Sequence, residues 1–373
     1  MTHVLYVNHT GSMSGAEHSL LTLVCHLDRS EFEPHVAAPP GPLLDACAKL
    51  GVATHPLSLE WFRRSLNPVC AARQLCRLAS GRRALRRLVG ELRPAIIHAN
   101  GLSAQLYVSG LFGRGAWRTV WHLRDMRPLS FVGPYLARRA DALIATSRAL
   151  AQFYPDLSSK PIEVIHNGVD LTGPDRSSDA PAVRAALGVQ EGETLFVCIG
   201  QALAWKRHED LVAAMRLLAD EPIRVVLVRT DPFGHGEGLD VGALPPRLTV
   251  LPEYTDIAAL LAACDVLAHP SRNEPFGRTV LEAMAASRPT IVTDSGGPPE
   301  IAVHEETGLI VRTGDVESLA EAMRRLAHDP GLRARLGAAG RRRAEELFSA
   351  PQHARLVEHV YGKLLGASPS APG

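Results

Sequence analysis

The chain has 373 residues, too many for one ordinary hydrophobic core, and this length implies roughly two to three domains. Its 46% hydrophobic content and near-zero mean hydropathy are those of a soluble globular protein. A net charge of +1 supplies no overall field for nucleic acid, and no stretch reaches the ~20 apolar residues of a membrane span.

Short apolar runs rich in β-branched residues alternate with helical patterns, which predicts parallel α/β sheets. The first half has them at 3–7, 35–38, 95–98, 119–122, 142–145 and 163–165. The second half has them at 194–199, 224–228, 248–251, 265–268, 290–293 and 308–311. Between the sets, 170–182 is rich in Asp, Ser, Pro and Gly and reads as a linker. The expected division is an N-terminal domain over 1–170, a linker over 171–182 and a C-terminal domain over 183–348. A final segment, 349–373, is expected to form a helix that packs back on the first domain and to fray at its end. Both domains are expected to be doubly wound, with the ligand at the C-terminal ends of the strands.

Val4-Leu5-Tyr6-Val7 opens a strand at once, so no signal peptide is expected. The strand runs into a glycine loop from His9 to Glu17. There Ser14 and Glu17 have capping-box spacing, which places a helix start at Gly15. A capped helix is one explanation; the other is that Gly15 lets backbone approach a phosphate. Between Arg63 and Arg93 lie nine arginines, in segments that pattern as two amphipathic helices. Only Lys49, Lys160, Lys206 and Lys363 are lysine, so arginine is the default cation and a solvated face explains this stretch. Peripheral contact with the inner face of a membrane is the alternative. Cys25, Cys47, Cys70, Cys76, Cys198 and Cys264 lack CxxC spacing and read as buried free thiols in a reducing cytoplasm, the expected location.

His122 ends a strand and could face a ligand, although His98 and His166 sit comparably and a structural histidine is the commoner case. Lys206 closes the strand-to-helix loop that begins at Gly200, where an ammonium reaches either a diphosphate or solvent. Further on, Glu274 follows the strand at 265–268, and a helical pattern starts near Gly277 with Val280, Leu281, Met284 and Ala285 on its apolar face. Glu282 lies little more than one turn inside that helix and leans back toward its N-terminus. Free amides and the positive dipole end there attract phosphate. An anion cradle with two acceptor carboxylates suits a nucleotide sugar. There is no P-loop, GxGxxG, DxD, HExxH or GxSxG, so neither a metal nor a cofactor is expected in the chemistry.

In order along the chain, the loop 11–17, Ile97-His98-Ala99-Asn100, Val120-Trp121-His122, the run 142–147, Val164 to Asp170, the Gly200 to Lys206 loop and Glu274 to Glu282 with Gly296-Gly297-Pro298-Pro299-Glu300 resemble the retaining glycosyltransferases of family 4. The resemblance implies the GT-B fold, two Rossmann-like doubly wound domains facing a cleft. It implies that Glu274 accepts hydroxyls of the donor sugar, that the backbone of Phe276 and Gly277 holds sugar and phosphate, and that Glu282 binds the ribose. Lys206 and Gly15 would hold the diphosphate of a UDP- or GDP-linked donor, and His122 would line the sugar pocket; Glu274, His122 and Lys206 are the implied catalytic set. The implied reaction is metal-independent transfer to an acceptor hydroxyl with retention, the acceptor being unspecified. An epimerase acting on nucleotide sugars is one alternative. A catalytically weak nucleotide-sugar-binding protein is the other, because Gln201 stands where the family usually has arginine and the loop from Arg229 to Gly234 departs from its GxG-like pattern. Arg207 or Arg278 is the expected compensation.

Overall fold

The computed structural model describes the chain except residues 62–66, 112–116, 130–131, 156, 158–159, 172–176, 232–238, 240–241, 255 and 367–373. Arg63, Arg64, the loop at 234–238, the middle of the expected linker and the end of the tail therefore lie outside the described residues. The chain divides into two compact units, one formed by 1–168 with 350–373 and the other by 169–349.

Seven parallel strands build the first unit: β1 (Thr2–Val7), β2 (Phe32–Ala38), β3 (Ala53–Pro56), β4 (Ile96–Asn100), β5 (Arg118–Leu123), β6 (Ala142–Ala145) and β7 (Ile162–Val164), in the order β3-β2-β1-β4-β5-β6-β7. The second unit has six: β8 (Thr194–Gln201), β9 (Ile223–Thr230), β10 (Leu248–Leu251), β11 (Val266–His269), β12 (Thr290–Thr293) and β13 (Gly308–Val311), in the order β10-β9-β8-β11-β12-β13. Both are doubly wound. Strand order reverses between β1 and β4 and again between β8 and β11, the switch points beside which doubly wound sheets commonly bind ligands.

The apolar runs are continuous because both faces of each sheet are covered. In β1, Leu5 and Val7 enter a cluster with Leu78, Leu85 and Val89 of the helix Pro68–Leu92, while Val4 and Tyr6 point into one on the opposite face. That opposite cluster takes Leu20, Leu23 and Val24 from the helix Gly15–His26 and Ala354, Val357, Val360 and Tyr361 from the C-terminal helix Ala350–Leu365. Each fully buried side chain of this size contributes on the order of 1.5–3 kcal/mol, enough to hold the last helix on the first unit.

Several sequence expectations are corrected. β3 was not expected: it is a short edge strand, half-exposed and ending in Pro56, so it carries little apolar signal. The arginine-rich segments form one helix, Pro68–Leu92, whose buried stripe runs through Leu78, Gly81, Leu85 and Val89. Ala180–Ala182, expected in the linker, begin the helix Ala180–Ala186, where Pro181 is tolerated because the first turn leaves its N–H groups unbonded. All six cysteines are thiols, but only Cys47, Cys198 and Cys264 are buried; Cys70 and Cys76 lie exposed on the arginine-rich helix.

Candidate active site

In the second unit the loops after β8 and β11 meet at the switch point. Arg272 N donates to Trp205 O at 2.7 Å, tying one loop to the other. Lys206 Nζ donates to Glu274 Oε2 at 2.5 Å, and each side chain is only 11% exposed. Gly200, the last but one residue of β8, makes room for this lysine: a Cβ there would stand 3.2 Å from Lys206 Cδ and 3.0 Å from His208 Nε2. His269 closes β11 and brings Nε2 within 3.2 Å of the same Glu274 oxygen, while its Nδ1 lies 3.4 Å from Thr279 Oγ1. Burial pushes the Glu274 carboxyl up, but Lys206 and His269 together outweigh it and hold the group at about 2. Burial lowers His269, so its imidazole is neutral at pH 7.

The backbone around Glu274 is fixed by the two glycines that follow β12. Gly297 N donates to Glu274 O at 2.8 Å. A Cβ on Gly296, whose φ is +77°, would meet Glu274 O at 2.3 Å, and one on Gly297 would meet Phe276 Cα at 2.7 Å. Only glycine permits that approach, which is the physical reason for the pair. Gly277 caps the helix Arg278–Ala285 at φ +103°, so the orphan amides of the first turn open beside Phe276 and Glu274. Glu282 does lean back along this helix, and Arg278 binds its carboxylate.

Neither expected compensation for Gln201 is disengaged. Arg278 is paired with Glu282, and Arg207 clasps Asp210 at 2.5 and 2.6 Å. The cation nearest in register is one the sequence reading did not assign: Arg229 of β9 pairs with Gly200 of β8. Its charge helps lower His208, for which burial is the main cause and Lys206 the next, to about 3. His269, His208 and Arg229 were missed as members of this cluster. The available signal was a charged or imidazole group at or just beyond the C-terminal end of a central strand.

In the first unit, Glu17 accepts from Ser14 N at 3.2 Å, from the Ser14 hydroxyl, and from Asn8 Nδ2 at 3.1 Å. Among the described residues a Cβ on Gly15 would meet nothing within 4 Å, so none of them requires a glycine there for packing. A buried polar chain continues across the switch point: Asn100 Nδ2 donates to Asn8 Oδ1 at 2.9 Å, Arg124 Nε to Asn100 Oδ1 at 2.9 Å, and Arg124 Nη1 to Asn167 Oδ1 at 2.6 Å. His122 is fully buried rather than set on an open wall. Its Nδ1 bonds His98 Nε2 at 3.1 Å, His98 Nδ1 bonds Tyr361 OH at 2.6 Å, and Tyr361 donates to Tyr6 OH at 2.9 Å. Burial, aided by Arg124, keeps both histidines well below their ordinary value and neutral. Only His122 Nε2 among its ring nitrogens lacks a partner.

Two doubly wound parallel sheets joined in one chain define the GT-B class. The first is matched over residues 13–172 by the family model described as Glycosyltransferase Family 4, and the second over 179–343 by Glycosyl transferases group 1. A lipopolysaccharide core biosynthesis mannosyltransferase of Rhizobium meliloti is 31% identical over 242 residues, 62% of this chain and 68% of that protein. An alpha-maltose-1-phosphate synthase of Mycolicibacterium smegmatis is 31% identical over 263 residues, 63% of this chain and 66% of that protein. The chain thus spans about two thirds of these relatives' length. It belongs to the family 4 glycosyltransferases. Anabaena HepE, solved in complex with UDP-glucose, superposes with a TM-score of 0.81 at 23% identity over 97% of this chain and all (100%) of that one. Sucrose-phosphate synthase from Thermosynechococcus elongatus gives 0.80 at 21% identity, over 99% and 100%. At such identities the likeness concerns the fold.

Proposed function

We propose that this protein is a retaining, metal-independent glycosyltransferase that moves a sugar from a UDP- or GDP-linked donor to an acceptor hydroxyl. The observation that carries the reading is the buried Lys206–Glu274 pair at the switch point of the second sheet, beside the amides that Gly277 exposes. A diphosphate arriving there draws Lys206 Nζ to its oxygens. Glu274, which still has His269 as a partner, then accepts sugar hydroxyls. Glu282, one turn along the helix, takes the ribose hydroxyls, with Arg278 orienting its carboxylate. Gly15 is assigned to backbone approach of a phosphate at the switch point of the first sheet, and His122 to a positioning role within the core of that unit. The chain's own groups hold the reactants in place and stabilise charge on the departing diphosphate; each such donor contributes about 2.7–4 kcal/mol to the barrier difference. Retention and independence of metal rest on the family resemblance and on the lack of a DxD sequence. The nucleotide sugar is supported by the HepE complex with UDP-glucose.

Among the described residues no helix is long and apolar enough to cross a membrane. Thiols fit a cytoplasmic setting. Peripheral membrane contact, if made, falls on the exposed Arg73, Arg83 and Arg87 of the helix Pro68–Leu92, since Arg77 binds Glu60 and Arg82 and Arg86 bind carbonyls of Leu106 and Gly110. The function is tested by incubating the protein with UDP- and GDP-sugars, with and without sugar, lipid and polyol acceptors, while following nucleotide release and product anomer by NMR. Transfer with retained configuration is the expected result. Interconversion of sugars without acceptor identifies an epimerase, and nucleotide binding without any turnover identifies a binding protein; either overturns the proposal.

A further inference from the structure

On one face of the first sheet, three imidazoles and a carboxylate from three neighbouring strands come together. His3 of β1 is the register partner of Glu33 of β2; His35 lies two residues beyond Glu33, and His55 of β3 pairs with Ala37. Equal parity along paired strands puts all four side chains on one side of the sheet. His3 Nδ1 and His35 Nε2 stand 2.9 Å apart, and the Glu33 oxygens lie 3.4 Å from the former and 3.7 Å from the latter. Ligands at ~2.0–2.1 Å around a tetrahedral zinc ion stand about 3.3 Å from one another, a spacing these three edges bracket.

We propose that His3, His35 and Glu33 form a binding site for a divalent transition-metal ion of the zinc class, distinct from the Lys206–Glu274 site of the second unit. His35 carries the support such a ligand needs. Its second nitrogen, Nδ1, lies 3.2 Å from His55 Nε2; with His55 accepting, the His35 proton sits on Nδ1 and Nε2 presents its lone pair toward His3 and Glu33. His35 is buried and so rigidly held, whereas His3 and Glu33 are about two-fifths exposed and leave an entry path. When the ion binds, the proton that His3 Nδ1 donates toward His35 moves to His3 Nε2 by way of solvent, with no change in net charge on the ring. Linear spacing hides this set, because His3 and Glu33 are brought together only by parallel pairing of β1 with β2.

The test uses the full chain, stripped with a chelator and dialysed. Cobalt(II) titration is expected to give visible d–d bands that saturate at one equivalent and are displaced by zinc(II). His3→Ala and Glu33→Gln should each weaken cobalt(II) at least tenfold, and His55→Ala should weaken it roughly 10- to 100-fold by removing the orienting acceptor. Circular dichroism verifies that each variant is folded, and Glu33→Gln, half-exposed and isosteric, serves should a histidine variant fail to fold. Absence of saturable bands in the parent chain, or bands unchanged in folded His3→Ala and Glu33→Gln, overturns the proposal. Neither outcome bears on sugar transfer.

Discussion

Replacing Lys206 with methionine keeps most of the side-chain stem and removes only the ammonium. Glu274 then retains His269 at 3.2 Å but loses the partner at 2.5 Å, in a pair whose side chains are 11% exposed and so little screened by water. Burial, the largest single influence, drives the carboxyl upward once Lys206 no longer opposes it. A return from about 2 to the ordinary value of 4.5 corresponds to about 3 kcal/mol at pH 7. Breaking a buried pair by removing one partner costs about 3–5 kcal/mol, in agreement. Lys206→Met should therefore lose about 3–5 kcal/mol in urea unfolding at pH 7. Lys206→Met combined with Glu274→Gln should come back to within about 1.5 kcal/mol of the parent, since glutamine needs no counter-charge. Donor turnover should fall about 10²- to 10³-fold in both. A single variant as stable as the parent, or effects additive within about 0.5 kcal/mol, would refute the coupling on which the site reading depends.

Three further expectations follow from the same geometry. Glu282→Ala should weaken UDP or GDP binding about tenfold in calorimetry, the scale of a lost hydrogen bond to a charged group; unchanged affinity removes Glu282 from the ribose site. Gly15→Ala meets no atom within 4 Å and should leave the unfolding midpoint unchanged or slightly raised, yet lower turnover about tenfold; full activity would contradict phosphate approach there. His208 and His353, depressed chiefly by burial, each titrate at about 3 in the folded chain against about 6.5 unfolded. The unfolded chain therefore takes up protons first, so their stabilising effect is full above about pH 6.5 and declines toward pH 3, by roughly 1–2 kcal/mol per histidine between pH 6.5 and 5. Glu274 adds a loss of the same sign as pH falls below about 4.5 toward 2. A urea midpoint that stays flat from pH 8 to 5 would contradict this.

The parallel sheets were legible because both faces of each are covered, which leaves near-continuous apolar runs such as 225–228 and Thr290–Thr293. β3 was not, because a short edge strand with Pro56 carries neither alternation nor a run. The glycines that steer Glu274 were visible as Gly296-Gly297, but their purpose emerges only from the 2.3 and 2.7 Å approaches to Glu274 and Phe276. The strand-end positions of His269 and Arg229 were visible, but not their company, because register across β8, β9 and β11 brings those strand ends together and no local pattern encodes register. His122 shows the reverse limit. A strand-end position suggests exposure to ligand, yet Tyr361, 239 residues further along the sequence, helps seal that region through His98.

The central claim is that a nucleotide sugar's diphosphate is gripped by Lys206 and the amides next to Gly277 while Glu274 takes the sugar. A crystal structure of the complex with a non-hydrolysable UDP- or GDP-sugar tests it directly. It should show diphosphate oxygens about 2.7–3.2 Å from Lys206 Nζ and from first-turn amides of the helix Arg278–Ala285, with a sugar hydroxyl on Glu274. A donor bound elsewhere, with the Lys206–Glu274 pair undisturbed, would contradict it.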